Sequence, residues 1–218
     1  PRQQIAVITV TVGATAMNDF WTAGGRASRE GLHDWVKTRE QGKGNREMQR
    51  IIGKALGQLK ERGIAYEVEA FIWYQGEGDS FMELYSNNYA RYLEDMIAGW
   101  EERDPGKYKD ERSRYAGSVS QWVGNPELDV VMVRVSKRIE GAESWGPRAK
   151  WEPALEEVRA AQVAFAQERE NAVWVDVDDL PLSDAFHYDG AEYIEIGRRV
   201  AKAYLGMLKA RCADEPTK

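Results

Sequence analysis

Short runs of β-branched and aromatic residues alternate along this chain with longer stretches whose apolar positions recur every three or four residues. Ile5 to Val12 is β-branched and ends at Gly13, which predicts a strand feeding a loop. From Arg46 to Arg62 the residues Met48, Ile51, Ile52, Ala55, Leu56 and Leu59 share one helical face, and Gly63 closes the helix. Tyr66 to Tyr74 reads as a second strand. Tyr85 to Trp100 carries Tyr89, Tyr92, Leu93, Met96, Ile97 and Trp100 at helical spacing until Asp104-Pro105-Gly106 stops it. Val130 to Val135 and Ala172 to Val177 are unbroken apolar runs of strand length, the pattern of parallel strands covered on both faces. Pro153 to Glu170 between them and Ala191 to Lys209 after them read as helices. Such alternation predicts a parallel sheet in an α/β sandwich.

Composition narrows the picture. With 218 residues, 43% hydrophobic and 30% charged, the chain has material for one sizeable core, and a single domain over 1–218 is expected. The charged, irregular stretch 104–125 reads as a surface insertion and 211–218 as a polar tail. A net charge of −6 without clustered Lys or Arg argues against nucleic acid or an anionic membrane as partner. Cys212 is the only cysteine, so an internal disulfide and a cysteine-rich zinc site are excluded. No apolar run approaches the roughly 20 residues of a membrane-spanning helix. The chain opens on Pro1-Arg2-Gln3-Gln4, without Met, and enters its first predicted strand almost at once, as a trimmed or truncated chain would.

In parallel α/β sheets the ligand sits beyond the carboxyl ends of the strands. Three suspicious loops fall there: Gly13 after the first strand, Trp73-Tyr74-Gln75-Gly76-Glu77-Gly78-Asp79 at the second, and Asp184-Ala185-Phe186-His187 after the last. An acidic residue three positions before a histidine, ahead of a helix, can orient the imidazole as a general base. Gln75 can donate to an oxyanion. Glu77 and Asp79 read as braces that hold backbone N–H groups and position the glutamine. Ser80 reads as a helix N-cap, with Glu83 completing a capping box. His33 lies in a polar stretch and reads as exposed or loop-bracing. Asp176, Asp178 and Asp179 read as a solvated loop start, with a hard cation as the alternative. Of eight tryptophans, Trp21, Trp122, Trp145 and Trp151 are placed in loops where sugar rings could stack, with Trp21 and Trp122 the chief candidates; Trp73, Trp100 and Trp174 are expected in the core.

These blocks together resemble the SGNH/GDSL hydrolase superfamily, specifically its carbohydrate acetylesterase branch of sialate O-acetylesterases and acetylxylan esterases. Trp73, Gln75, Gly76, Glu77 and Asp79 match its Trp-x-Gln-Gly-Glu-x-Asp block without a gap, and Val12 to Met17 with Trp21 stand where it has a Gly-Gly-Thr-Ser-Ile-like turn and a Trp. Asp184, His187, Gly190, Gly197, Arg198 and Arg199 match its closing block, and Arg159-Ala160-Ala161-Gln162 echoes its Arg-x-Ala-Gln pattern. The resemblance implies a flavodoxin-like three-layer SGNH sandwich and hydrolysis of O-acetyl esters on a carbohydrate through an acyl-serine, without metal or organic cofactor. It implies His187 as general base and then acid, Asp184 as its orienting carboxylate, and the Gly13 N–H with the Gln75 side chain as oxyanion hole. It also favours a secreted or periplasmic location.

One block is missing. The family's serine lies after a strand upstream of the Gly-Gly-Thr-Ser segment, and this chain starts downstream of it, so the sheet is expected to lack that strand and to expose unpaired edges. An upstream segment of the same protein, or another chain, is expected to supply the serine and fill the sheet. Two alternatives stand beside this reading. One is a carbohydrate-binding pseudoenzyme of the same fold; the other is an esterase using Ser80, in Gly78-Asp79-Ser80, or Thr15 as nucleophile.

Overall fold

A computed structural model describes residues 4–13, 15–21, 42–81, 83–97, 119–137, 148–184 and 186–214. The chain divides into two compact units. One comprises Pro1–Thr15, Asp19–Val68 and Tyr92–Pro126; the other comprises Ala16–Asn18, Glu69–Arg91 and Glu127–Lys218.

The second unit is built on a parallel sheet of β1 (Ala70–Trp73), β2 (Asp129–Val133) and β3 (Ala172–Val175), in that order. Ala70 pairs with Asp129 and Trp73 with Met132, while Val130 pairs with Ala172 and Val133 with Val175. All five residues of β2 are buried, which is why Val130 to Val133 run apolar without alternating. Helix α5 (Arg148–Gln167) crosses from β2 to β3 and packs on both. Helix α6 (Gly190–Asp214) sets Ile196 and Val200 against Val131, Val133 and Val175. Helix on sheet on helix is the expected α/β sandwich. Helix α6 runs through the stretch read as a polar tail as far as Asp214, because Arg211 anchors it with a 2.5 Å ion pair to the buried Asp129.

In the first unit, helix α1 (Lys43–Glu61) ends where expected: Gly63, at φ 65°, lets Ile64 N–H reach back to the Leu59 carbonyl. Its other end depends on Gly44, where any Cβ would overlap the Phe20 and Trp21 rings. Met48 and Ile52 give α1 its buried face, and it packs on the short helix α4 (Val119–Val123). The chain also forms α2 (Glu83–Ser86) and α3 (Tyr89–Ile97), so the long helix expected from Tyr85 is broken at Asn87 and Asn88. Residues 98–118, which hold Trp100 and most of the expected insertion, lie outside the described residues.

Ile5 to Val12 corrects one expectation. These residues join no sheet, and Ile5 and Val7 are 93% and 78% exposed. A strand exists only where a neighbour takes its backbone hydrogen bonds, and none of the three described strands pairs with this run. Among the described residues β1 is an outer strand of the second unit's sheet, with Ile72 52% exposed.

Candidate active site

Beyond Trp73 the chain leaves β1 through Gln75 and Gly76. Gly76 sits at φ 156°, and a Cβ there would lie 2.9 Å from Val158, 3.0 Å from Val135 and 3.1 Å from Gln162 Nε2, so only glycine lets the backbone approach α5. A 3₁₀ turn over Glu77–Phe81 follows, closed by Asp79 and Ser80 N–H groups on the Gly76 carbonyl. The turn folds Asp79 back under Gln75. Its fully buried carboxylate accepts from Gln75 Nε2 at 2.9 Å and from Met17 N–H at 2.7 Å, both on Oδ2. A carboxylate only accepts, so it fixes which end of the Gln75 amide is nitrogen and in what plane the second N–H lies. The Gln75 carbonyl accepts from Tyr89 Oη at 2.7 Å and Gln162 Nε2 at 2.8 Å. Gly76 N–H donates to Glu77 Oε2 at 3.1 Å. Burial pushes the Glu77 carboxyl above the ordinary range, against the pull of its own and the Gly76 N–H groups and of nearby His187.

The second element of the site follows β3. Tyr188 is buried in the α6 core and donates to the Val177 carbonyl at 3.1 Å, which holds its neighbour His187 outward. Asp184 Oδ1 accepts the Phe186 and His187 N–H groups, each at 2.8 Å, and Asp184 Oδ2 lies 2.8 Å from His187 Nδ1. The Phe186 N–H first, then the imidazole, hold the Asp184 carboxyl down at about 2. The His187 and Asp184 side chains are 67% and 58% exposed. An edge contact of Phe81 on Phe186, with ring centres 5.9 Å apart, joins this loop to the Gln75–Asp79 turn. Gln75, Glu77, Asp79, Asp184 and His187 thus lie in one unit, at the carboxyl ends of β1 and β3.

The other expected residues are found as follows. Gly13 lies in an exposed bend of the first unit with open space where a Cβ would be. Trp21 is not a stacking platform: only 3% exposed, it closes a π-helical turn from Met17 and donates to Thr15 Oγ1 at 2.9 Å. Trp151 is likewise buried, in α5. Trp122 lies half-buried in α4 rather than in a loop. Thr15 is 6% exposed and turns its hydroxyl to the Val12 carbonyl at 3.3 Å. Ser80 is 1% exposed, and its Oγ donates to the Gly76 carbonyl at 2.8 Å, so the hydroxyl serves the 3₁₀ turn in which Ser80 itself lies. The three aspartates after β3 each pair with arginine; Asp176 and Asp179 stay 51% and 65% exposed, as a solvated loop start would, and only Asp178 is largely buried. Arg159 clasps both oxygens of Asp178 at 2.9 and 2.8 Å, Arg134 bridges Asp176 and Asp178, and Arg199 clasps Asp179. Among the described residues no carboxylate, histidine or cysteine cluster has the makings of a metal site. His33 and Trp145 lie outside the described residues.

Sequence reasoning assigned no role to Gln162, Tyr89 or Tyr188. A signal existed for Gln162: with Arg159 it interrupts the buried stripe of Leu155, Val158, Phe165 and Ala166 on α5, and a polar side chain inside an apolar stripe has partners there.

Comparisons with known proteins bear on the family and the fold. A family described as carbohydrate esterase, sialic acid-specific acetylesterase matches residues 1–103, which bears out the resemblance to the carbohydrate acetylesterase branch. The matched stretch takes in Gly13, Gln75, Glu77 and Asp79 and ends before Asp184 and His187. No curated protein matches the chain. A crystal structure of a protein from Arabidopsis thaliana matches with a TM-score of 0.51 and 21% identity, over 89% of this chain and 58% of that one, a likeness of fold. The present chain therefore spans less than two thirds of that plant protein's length.

Proposed function

Starting from a chain that carries the carbohydrate-esterase family pattern over its first 103 residues, we propose that the protein removes O-acetyl groups from a carbohydrate by an acyl-serine mechanism. The observation that carries this reading is the Asp184–His187 pair, 2.8 Å apart at the carboxyl end of β3 and in the same unit as Gln75. An acceptor-only carboxylate on Nδ1 puts the proton there and leaves Nε2 as the base. His187 then takes the proton of a serine hydroxyl attacking the acetyl carbonyl and gives it to the departing sugar oxygen. Water, deprotonated in turn by His187, releases acetate and restores the serine. The charge that collects on the carbonyl oxygen is met by the Gln75 amide, whose plane Asp79 fixes.

The serine in this reading is a residue upstream of position 1, because the hydroxyls of both in-chain candidates are buried and turned to backbone carbonyls. The outer edge of β1, where Ile72 is 52% exposed, supports the addition of that serine's strand to the sheet. Treating the purified protein with a fluorophosphonate probe and weighing every chain tests this. Label on an upstream peptide or a longer chain is the expected result. Label on Ser80 or another serine of residues 1–218 overturns the placement of the nucleophile, and no label on any chain favours a carbohydrate-binding module that has kept the fold.

A further inference from the structure

We propose that Gln162 is a positioning residue that acts through Gln75. The proposal rests on the reading of Gln75 as an oxyanion donor. Gln162 is fully buried in α5, and its one amide makes three hydrogen bonds. Oε1 accepts the Val135 N–H at 2.9 Å; Nε2 donates to the Gln75 carbonyl at 2.8 Å and lies 3.0 Å from Tyr89 Oη. One side chain therefore ties the segments that leave β1 and β2 to the start of α3.

Its effect falls on the peptide that follows Gln75. The carbonyl of that peptide is held by Gln162 and Tyr89, and its N–H, on Gly76, by Glu77. Rotating the peptide plane breaks all three bonds. The Gln75 side chain leaves the same Cα and is held at its far end by Asp79. With the backbone fixed at one end and Nε2 at the other, the remaining N–H of the amide has one direction. Gly76 completes the clamp, because its missing Cβ is what lets Gln162 Nε2 approach within packing distance. Only a primary amide of this length serves: a glutamate would set an anionic oxygen against the Gln75 carbonyl, and a methionine would fill the space without either bond.

The test compares Gln162→Met and Gln162→Glu with the wild type on a small acetyl ester, alone and in a Gln75→Ala background. Through Gln75 alone, each variant lowers kcat by about 10- to 10²-fold at unchanged KM and has no further effect once Gln75 is alanine. Wild-type kcat in the Gln162→Glu variant, or a loss that adds in full to that of Gln75→Ala, overturns the proposal. If Gln75→Ala itself keeps full activity, the oxyanion reading fails, and the positioning claim is then judged by the Gln75 side-chain amide signal in a ¹⁵N NMR spectrum. A shifted or broadened signal in either Gln162 variant upholds it; an unmoved one sinks it.

Discussion

Asp178 and Asp184 follow the same strand, and both carboxyls are held below the ordinary aspartate range, yet they differ in what surrounds them. Burial works against the charge of Asp178, and the Arg159 guanidinium outweighs it, helped by Lys137 N–H and Arg134. Its side chain is 12% exposed and that of Arg159 only 7%. Asp184 meets almost no burial; two backbone N–H groups and an imidazole lower it while its side chain stays 58% exposed. A depressed carboxyl therefore reports partners, not a task. What separates the two is the partner: an arginine cannot give up its proton, whereas a histidine open to solvent can exchange one with a substrate.

The largest effect should come from breaking the open pair. His187→Ala is expected to lower turnover of a small acetyl ester by about 10⁴-fold while leaving Tm nearly unchanged, since the lost side chain is mostly exposed. Parallel assays and thermal melts would show it, and retained turnover would remove His187 from the mechanism. Breaking the closed pair should do the reverse. Asp178→Ala leaves Arg159 buried without its carboxylate and should cost about 3 kcal/mol of stability by denaturant unfolding. The wild type should also lose stability in acid: the Asp178 carboxyl is lowered from 3.8 in the folded state, so its stabilisation is present above that pH and fades as pH falls through the lowered value.

Gln75→Ala should cut kcat by about 10²-fold, with a smaller loss of stability than Asp178→Ala. A variant that instead unfolds with normal kcat would make Gln75 a structural residue. The smallest effect concerns Glu77. Its folded-state value lies above 4.5, so the folded protein binds more protons than the unfolded chain above that pH, and stability should fall as pH rises through the window. Glu77→Gln should flatten that slope in melts taken at successive pH values; an unchanged slope would assign the pH dependence elsewhere.

Much of the site was legible. The Gln75–Asp79 block and the Asp184–His187 spacing carry their chemistry in residue type and separation, and each sits in a local turn that the chain builds from its own neighbours. The tryptophans were not legible in this way. Nothing within a few residues of Trp21 says whether its ring faces solvent; Thr15 and the rest of the first unit decide that. Ser80 misled for a related reason, since a capping signature and a 3₁₀ turn compete for the same hydroxyl, and the position of the Gly76 carbonyl settled it.

By itself the sequence determined most kinds of element, the parallel sheet and the loops that carry the candidate residues, because periodicity and turn residues act over a few positions. Only the tertiary structure decided that Ile5–Val12 stays unpaired, that the aspartates after β3 meet arginines, and that Gln162 reaches across 87 residues to the Gln75 carbonyl. Pairing, burial and long-range hydrogen bonds depend on which surfaces meet, and that information belongs to no single stretch of chain.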